Sequence, residues 1–194
     1  MSKLSRDTLL SLEQYSEMRP AFRQQVMEHK KSRRVFLGEN ATLYFESELT
    51  MRYQIQEMLR IEKTFDKEGI QEELDVYNPL IPDGKNWKAT FMIEFSDEDK
   101  RKHALEKMIG IENKVYVLVN GFEPVWAIAD EDLERDTEEK TSSVHFMRFE
   151  LSDDMINGLR DGCALTMGIE HPAYTIQLEI KDKNIRDSLM DDLN

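Results

Sequence analysis

His145 and His171 are the side chains best suited to chemistry, because a neutral imidazole binds metal ions and titrates near neutral pH. His145 lies in the alternating run VHFMRFEL (Val144–Leu151), on the strand face that it shares with Met147 and Phe149. An imidazole on such a face is either a core histidine satisfied by hydrogen bonds or a metal or acid–base group. His171 precedes Pro172 between two strand-like runs, where a turn-stabilising role competes with a ligand role. Joined by a carboxylate such as Glu57, the two histidines would offer a nitrogen–oxygen site suited to iron, manganese or zinc. His29 and His103 sit among charges on helical stretches and read as surface residues. Cys163, the one cysteine, reads as a small buried hydrophobe and permits neither an intrachain disulfide nor a CxxC pair.

A second constellation occupies the stretch Ser47–Pro82. Arg52, Gln56 and Arg60 recur every four residues around Glu57, so they share one side of a helix. Arginine offers a planar fork that grips carboxylates and phosphates. The three side chains are therefore the candidate contacts for a small anionic ligand, against the plainer reading of ordinary intrahelical pairs. Several chemistries are excluded. The eight glycines form no GxGxxG, GxxxxGK or GxSxG string, and no HExxH or Glu-x-x-His occurs.

The elements that must position these residues can be read from periodicity. Asp7 predicts a helix cap before Leu9, Leu12 and Tyr15, and Pro20 predicts the first turn of a second helix. Val35–Leu37 and Thr42–Glu46 read as strands. Ser47 caps the next helix, whose expected core stripe is Met51, Ile55, Met58, Leu59 and Phe65, with Gly69 as its breaker. From Trp87 onward, KATFMIEFSDED (Lys88–Asp99) aligns with VHFMRFELSDDM (Val144–Met155) when Ser96 is set on Ser152. Each copy continues into a helix and two strand-like runs, Val115–Val119 with Val125–Ala129 and Ala164–Gly168 with Tyr174–Ile180. The expectation is an α+β fold, with N-terminal helices (1–85) packed on a mainly antiparallel sheet built from two β-α-β-β repeats (86–194). The acidic link Asp130–Lys140 is expected to be solvated, and residues 184–193 to form a final helix.

Charge narrows the partners. The chain carries 26 Lys+Arg against 39 Asp+Glu, a net −13. That acidity argues against nucleic acid, which needs a basic surface, although the run HKKSRR (His29–Arg34) is locally basic. The run also suits the C-terminal end of a helix. No stretch resembles a signal peptide or is long enough to span a bilayer, so a cytoplasmic protein is expected. Whether copies assemble into a homo-oligomer is left open.

At YQIQEMLRIE (Tyr53–Glu62), EELDVYNPLIPDG (Glu72–Gly84), TSSVHFMRFEL (Thr141–Leu151) and GIEHPAY (Gly168–Tyr174) the chain resembles an uncharacterised bacterial family classed as a domain of unknown function. Its members are often encoded beside rubrerythrin-like proteins and iron–sulfur oxidoreductases of the glycolate-oxidase type. The resemblance implies a redox or oxidative-stress setting and assigns no catalytic residue. The leading expectation is thus an accessory or binding protein for such a partner, without catalysis of its own. A His/carboxylate metal protein and a binder of a small anion are the alternatives.

Overall fold

A computed structural model describes residues 3–133, 135–137 and 139–194. The fold is α+β. A 3-10 turn at Arg6–Thr8 leads into one long helix, α1 (Leu12–Lys31), capped by Ser11. The second helix expected at Pro20 does not form, because Pro20 lies inside α1. The position is exposed, as is Ser16, so water can satisfy the carbonyl that the missing N–H leaves free. Strands β1 (Arg34–Phe36) and β2 (Ala41–Phe45) follow, then α2 (Glu48–Glu62), whose cap Ser47 accepts from the Thr50 N–H.

Lys63, with φ of 55°, ends α2 in a left-handed residue. The helix therefore stops well before Gly69, and α3 (Lys67–Tyr77) is capped by Asp66 with Gly69 in its first turn. The stripe is shorter than expected. Met51, Ile55 and Leu59 are buried, Met58 is half-buried, and Phe65 in the connecting loop is 80% exposed.

The chain continues through β3 (Asn86–Ile93), α4 (Glu98–Lys107), β4 (Val115–Val119), β5 (Val125–Trp126), β6 (Ile128–Ala129) and β7 (Val144–Glu150). It closes with α5 (Asp153–Arg160), β8 (Leu165–His171), β9 (Tyr174–Glu179) and α6 (Lys183–Met190). Asp97, one residue beyond Ser96, caps α4, while Ser152 caps α5. Two sheets form, in the orders β1-β2-β3-β7-β6 and β5-β4-β8-β9, with antiparallel pairing between every neighbouring strand. Residue 85 is no sheet boundary, since β2 on one side of it pairs with β3 on the other.

The main core contains residues of both sheets: Phe45, Trp87, Phe91 and Phe149 from the first with Val117, Met167 and Ile169 from the second. A smaller core joins Leu4, Met51, Ile55, Leu59, Leu74 and Ile81 around α2 and α3. Between Trp126 and Ile128 the chain leaves the second sheet for the edge of the first, with the Ala127 N–H still donating to the Val115 carbonyl at 2.8 Å. That crossing delivers the acidic link to the edge of β7, beside His145. Among the described residues, no helix is long and apolar enough to cross a membrane.

Candidate metal centre

His145 is fully buried on the core face of β7, its ring centroid 6.3 Å from that of Phe91. Its nitrogens have separate roles. Nδ1 lies 2.6 Å from Asp130 Oδ2. Nε2 faces Thr141 Oγ1 at 2.9 Å and the Ser142 carbonyl at 3.1 Å. Asp130 occupies the left-handed region at φ 51°, a conformation that costs a non-glycine residue of order 1 kcal/mol. The surroundings repay it at both ends. Its N–H donates to the Phe146 carbonyl at 2.8 Å, and Oδ1 accepts from the Phe146 N–H and from Arg135, each at 3.0 Å.

Glu112 and Asp136 complete the cluster. One atom from each of Glu112, Asp136 and His145 lies within 4.8 Å of the other two. Asp136 is held on both oxygens, by the Gly110 N–H at 3.0 Å and the Thr141 hydroxyl at 2.6 Å. Gly110 is left-handed at φ 83° and turns the chain from α4 into the 3-10 turn Ile111–Lys114, which carries Glu112. Glu112 is 7% exposed; Oε1 accepts from the Asn113 amide, and Oε2 is buried with no partner among the described residues. Burial, then the nearby Asp136 and Asp130 carboxylates, raise the Glu112 pKa against its own backbone N–H and, more weakly, His145.

The other expected site residues have their own partners. His171 caps its hairpin: Nε2 lies 3.1 Å from the Ile109 carbonyl, and Nδ1 accepts from the Ala173 N–H at 3.1 Å. Glu57 receives Arg19 on both oxygens, at 2.6 and 2.9 Å, and the Tyr15 hydroxyl at 2.6 Å. Arg19 foremost, then Tyr15 and Arg60, lower its pKa to about 2, while burial and Glu57 push the Tyr15 hydroxyl up. The structure thus groups His145 with Glu112 and Asp136, not with His171 or Glu57. Of the anion candidates, Gln56 is fully buried and bonds the Leu10 backbone with both amide atoms, at 2.7 and 3.3 Å. Arg52 pairs with Glu48 and Arg60 reaches Glu57 at 3.4 Å, while the Nε of each arginine is buried without a partner among the described residues.

Asp130 and Asp136 fall in the link expected to be solvated, yet Asp130's side chain is 9% exposed and Asp136 is half-buried. Glu134 and Glu138 of that link lie outside the described residues. Sequence reasoning passed over Glu112, Asp130 and Asp136. The usable signal was Asp130 directly after a strand-like run, where an edge strand could bring it to His145. Glu112 carries no periodicity that marks it.

The donor set fits a divalent ion. Two carboxylates and an imidazole are oxygen and nitrogen ligands for manganese, iron or zinc, and Asp130 behind the imidazole gives the carboxylate–histidine support typical of such centres. Bonds of about 2.1 Å place neighbouring ligand atoms about 3–4 Å apart, so atoms within 4.8 Å of one another need at most about 1–2 Å of contraction.

No curated protein matches the chain. The crystal structure of a novel protein of unknown function from Burkholderia pseudomallei K96243 matches over 100% of both chains, with 52% sequence identity and a TM-score of 0.93. A family model described as a protein of unknown function (DUF3501) matches residues 3–193, and the chain belongs to that family.

Proposed function

We propose that the protein binds one divalent transition-metal ion through His145, Glu112 and Asp136, with Asp130 orienting the imidazole. The observation that carries this reading is Glu112 Oε2, buried without a partner beside two groups able to share an ion with it. A buried carboxylate oxygen left unpaired costs about 1–3 kcal/mol or more, and two carboxylates packed on one imidazole add mutual repulsion. A dication removes both costs. An accessory role beside an iron–sulfur or rubrerythrin-like partner has its support in the resemblance; the metal reading has a structural observation of its own. Iron or manganese would connect the two, since either changes oxidation state and zinc does not.

Elemental analysis of protein purified without chelator or added metal, repeated after reconstitution with Mn(II), Fe(II) and Zn(II), tests the proposal. About one equivalent of one metal is expected, lost in Glu112→Gln and retained in Glu57→Gln. Less than about a tenth of an equivalent, with no uptake on reconstitution, would refute it, because assembled sites bind tightly.

A further inference from the structure

The opposite face of β7 borders a cleft of about 660 Å³ between α3, the 3-10 turn at Asn78–Leu80 and the outer surface of the first sheet. That volume falls within the range of small-molecule sites. Val76, Tyr77, Leu80 and Phe146 supply apolar and aromatic wall. Three cations, Lys88, Arg135 and Arg148, also face it, and they differ in one respect.

Both arginines are already paired with carboxylates. Arg148 holds Glu131 through two nitrogens, at 2.8 and 2.9 Å, and Glu150 through the third at 2.6 Å. Arg135 lies over the Phe146 ring at 4.7 Å and pairs with Asp132 at 2.7 Å and Asp130 at 3.0 Å. Lys88 sits opposite Arg148 in the β3–β7 register, half-buried. Among the described residues its ammonium has no carboxylate within 4.0 Å, whereas Lys85 three residues earlier pairs with Asp153 at 2.9 Å. Burial, then the charge of Arg148, lower the Lys88 pKa. Glu131, Asp83 and Glu150 favour its charge from a distance, but a partly desolvated ammonium with no carboxylate in contact remains costly, and the cleft in front of it is mainly apolar.

We propose that the cleft binds a small organic anion, its apolar body against Tyr77, Leu80 and Phe146 and its single acidic group on Lys88. The class is a monocarboxylate or monosulfonate with an aromatic or short aliphatic body. A polyphosphate does not suit one point charge flanked by Asp75, Glu131 and Asp132. The site lies on the other face of β7 from His145: Phe146 and Arg148 point outward while His145 points into the core, with Arg135, which lines the cleft and bonds Asp130, joining the two. It also differs from the Arg52, Gln56 and Arg60 constellation, whose side chains are engaged within the N-terminal helices or with the Leu10 backbone.

Fluorescence titration with 8-anilino-1-naphthalenesulfonate, with octanoate as competitor, tests the assignment on the full chain. The parent protein is expected to bind one equivalent saturably and to release it to octanoate. Lys88→Met should weaken the sulfonate about tenfold and leave the uncharged N-phenyl-1-naphthylamine unchanged. Val76→Glu, at a position 63% exposed on α3 and therefore safe for folding, places a like charge at the mouth and should weaken the sulfonate alone. Equal affinity of parent and Lys88→Met for the sulfonate would overturn the proposal. So would equal loss of the charged and neutral probes, or absence of saturable binding to the parent; Lys88 would then be a stem laid over apolar surface with its head in water.

Discussion

Replacing Glu57 by Gln removes the carboxylate that serves Tyr15, Arg19 and Arg60 together. Arg19 chiefly, then Tyr15 and Arg60, hold its pKa at about 2 against an ordinary 4.5. That gap of about 2.5, at about 1.36 kcal/mol for each, sets a ceiling of about 3 kcal/mol on the native-state preference for the ionised form. Glu57's side chain is 13% exposed but Arg19's is 34%, so solvent screening reduces the expectation to about 1–2 kcal/mol. Because the folded pKa is depressed, this contribution is complete above pH of about 4.5 and is lost as pH falls toward about 2. By pH 3 roughly half of it should be gone. Urea unfolding of parent and Glu57→Gln at pH 7, 5 and 3 measures the difference. The stability gap should narrow at pH 3. Parallel pH profiles, or no gap at pH 7, would refute the ion-cluster reasoning.

Loading the metal centre with ion at a hundred times its Kd should stabilise the fold by about 2.7 kcal/mol, or about 5–10 °C in melting temperature for a chain of this size. Differential scanning fluorimetry with and without chelator reads it, and Glu112→Gln should abolish the shift. Arg33→Met should cost about 3–5 kcal/mol, because it leaves the buried Asp192 without its cation. Burial already outweighs Arg33 and raises Asp192 to about 6; a raised carboxyl favours folding at low pH and loses that as pH climbs through 6, so the variant should recover stability on acidification. Gln56→Met strips both partners from the Leu10 backbone and should cost about 2 kcal/mol by thermal unfolding, with faster proteolysis before residue 12.

Much of the fold could be read locally because period and caps agree. Alternation in Asn86–Ile93 and Val144–Glu150, the cap at Ser47 and the α+β class all come from neighbours within a few residues. Local signals were weaker where the outcome depended on distant packing. The α2 stripe was overextended to Phe65 because nothing in the string marks Lys63 as left-handed. Arg33 belongs to a run that suits a basic helix end, yet it is 2% exposed and donates to the Phe45, Glu46 and Ser188 carbonyls. Its partners lie up to 159 residues away, beyond any periodic reading. The candidate centre divides the same way. His145 stood out because an imidazole broke an apolar face, whereas Asp130 and Asp136 looked like solvated linker until β6 crossed between sheets.

The segment from Ser188 to Asn194 reaches deep into residues made far earlier. The Trp87 indole donates to the Leu189 carbonyl at 2.9 Å, the Asn194 N–H donates to the Gly84 carbonyl at 2.9 Å, and Asp192 neutralises Arg33 across 159 residues. During synthesis, then, the guanidinium of Arg33 must stay hydrated until its counter-charge has left the ribosome. The first sheet can pair earlier, but the pocket around Trp87 and Arg33 closes only after residue 192 emerges. A nascent chain stalled before that point carries a wet, charged gap where the finished protein has an ion pair.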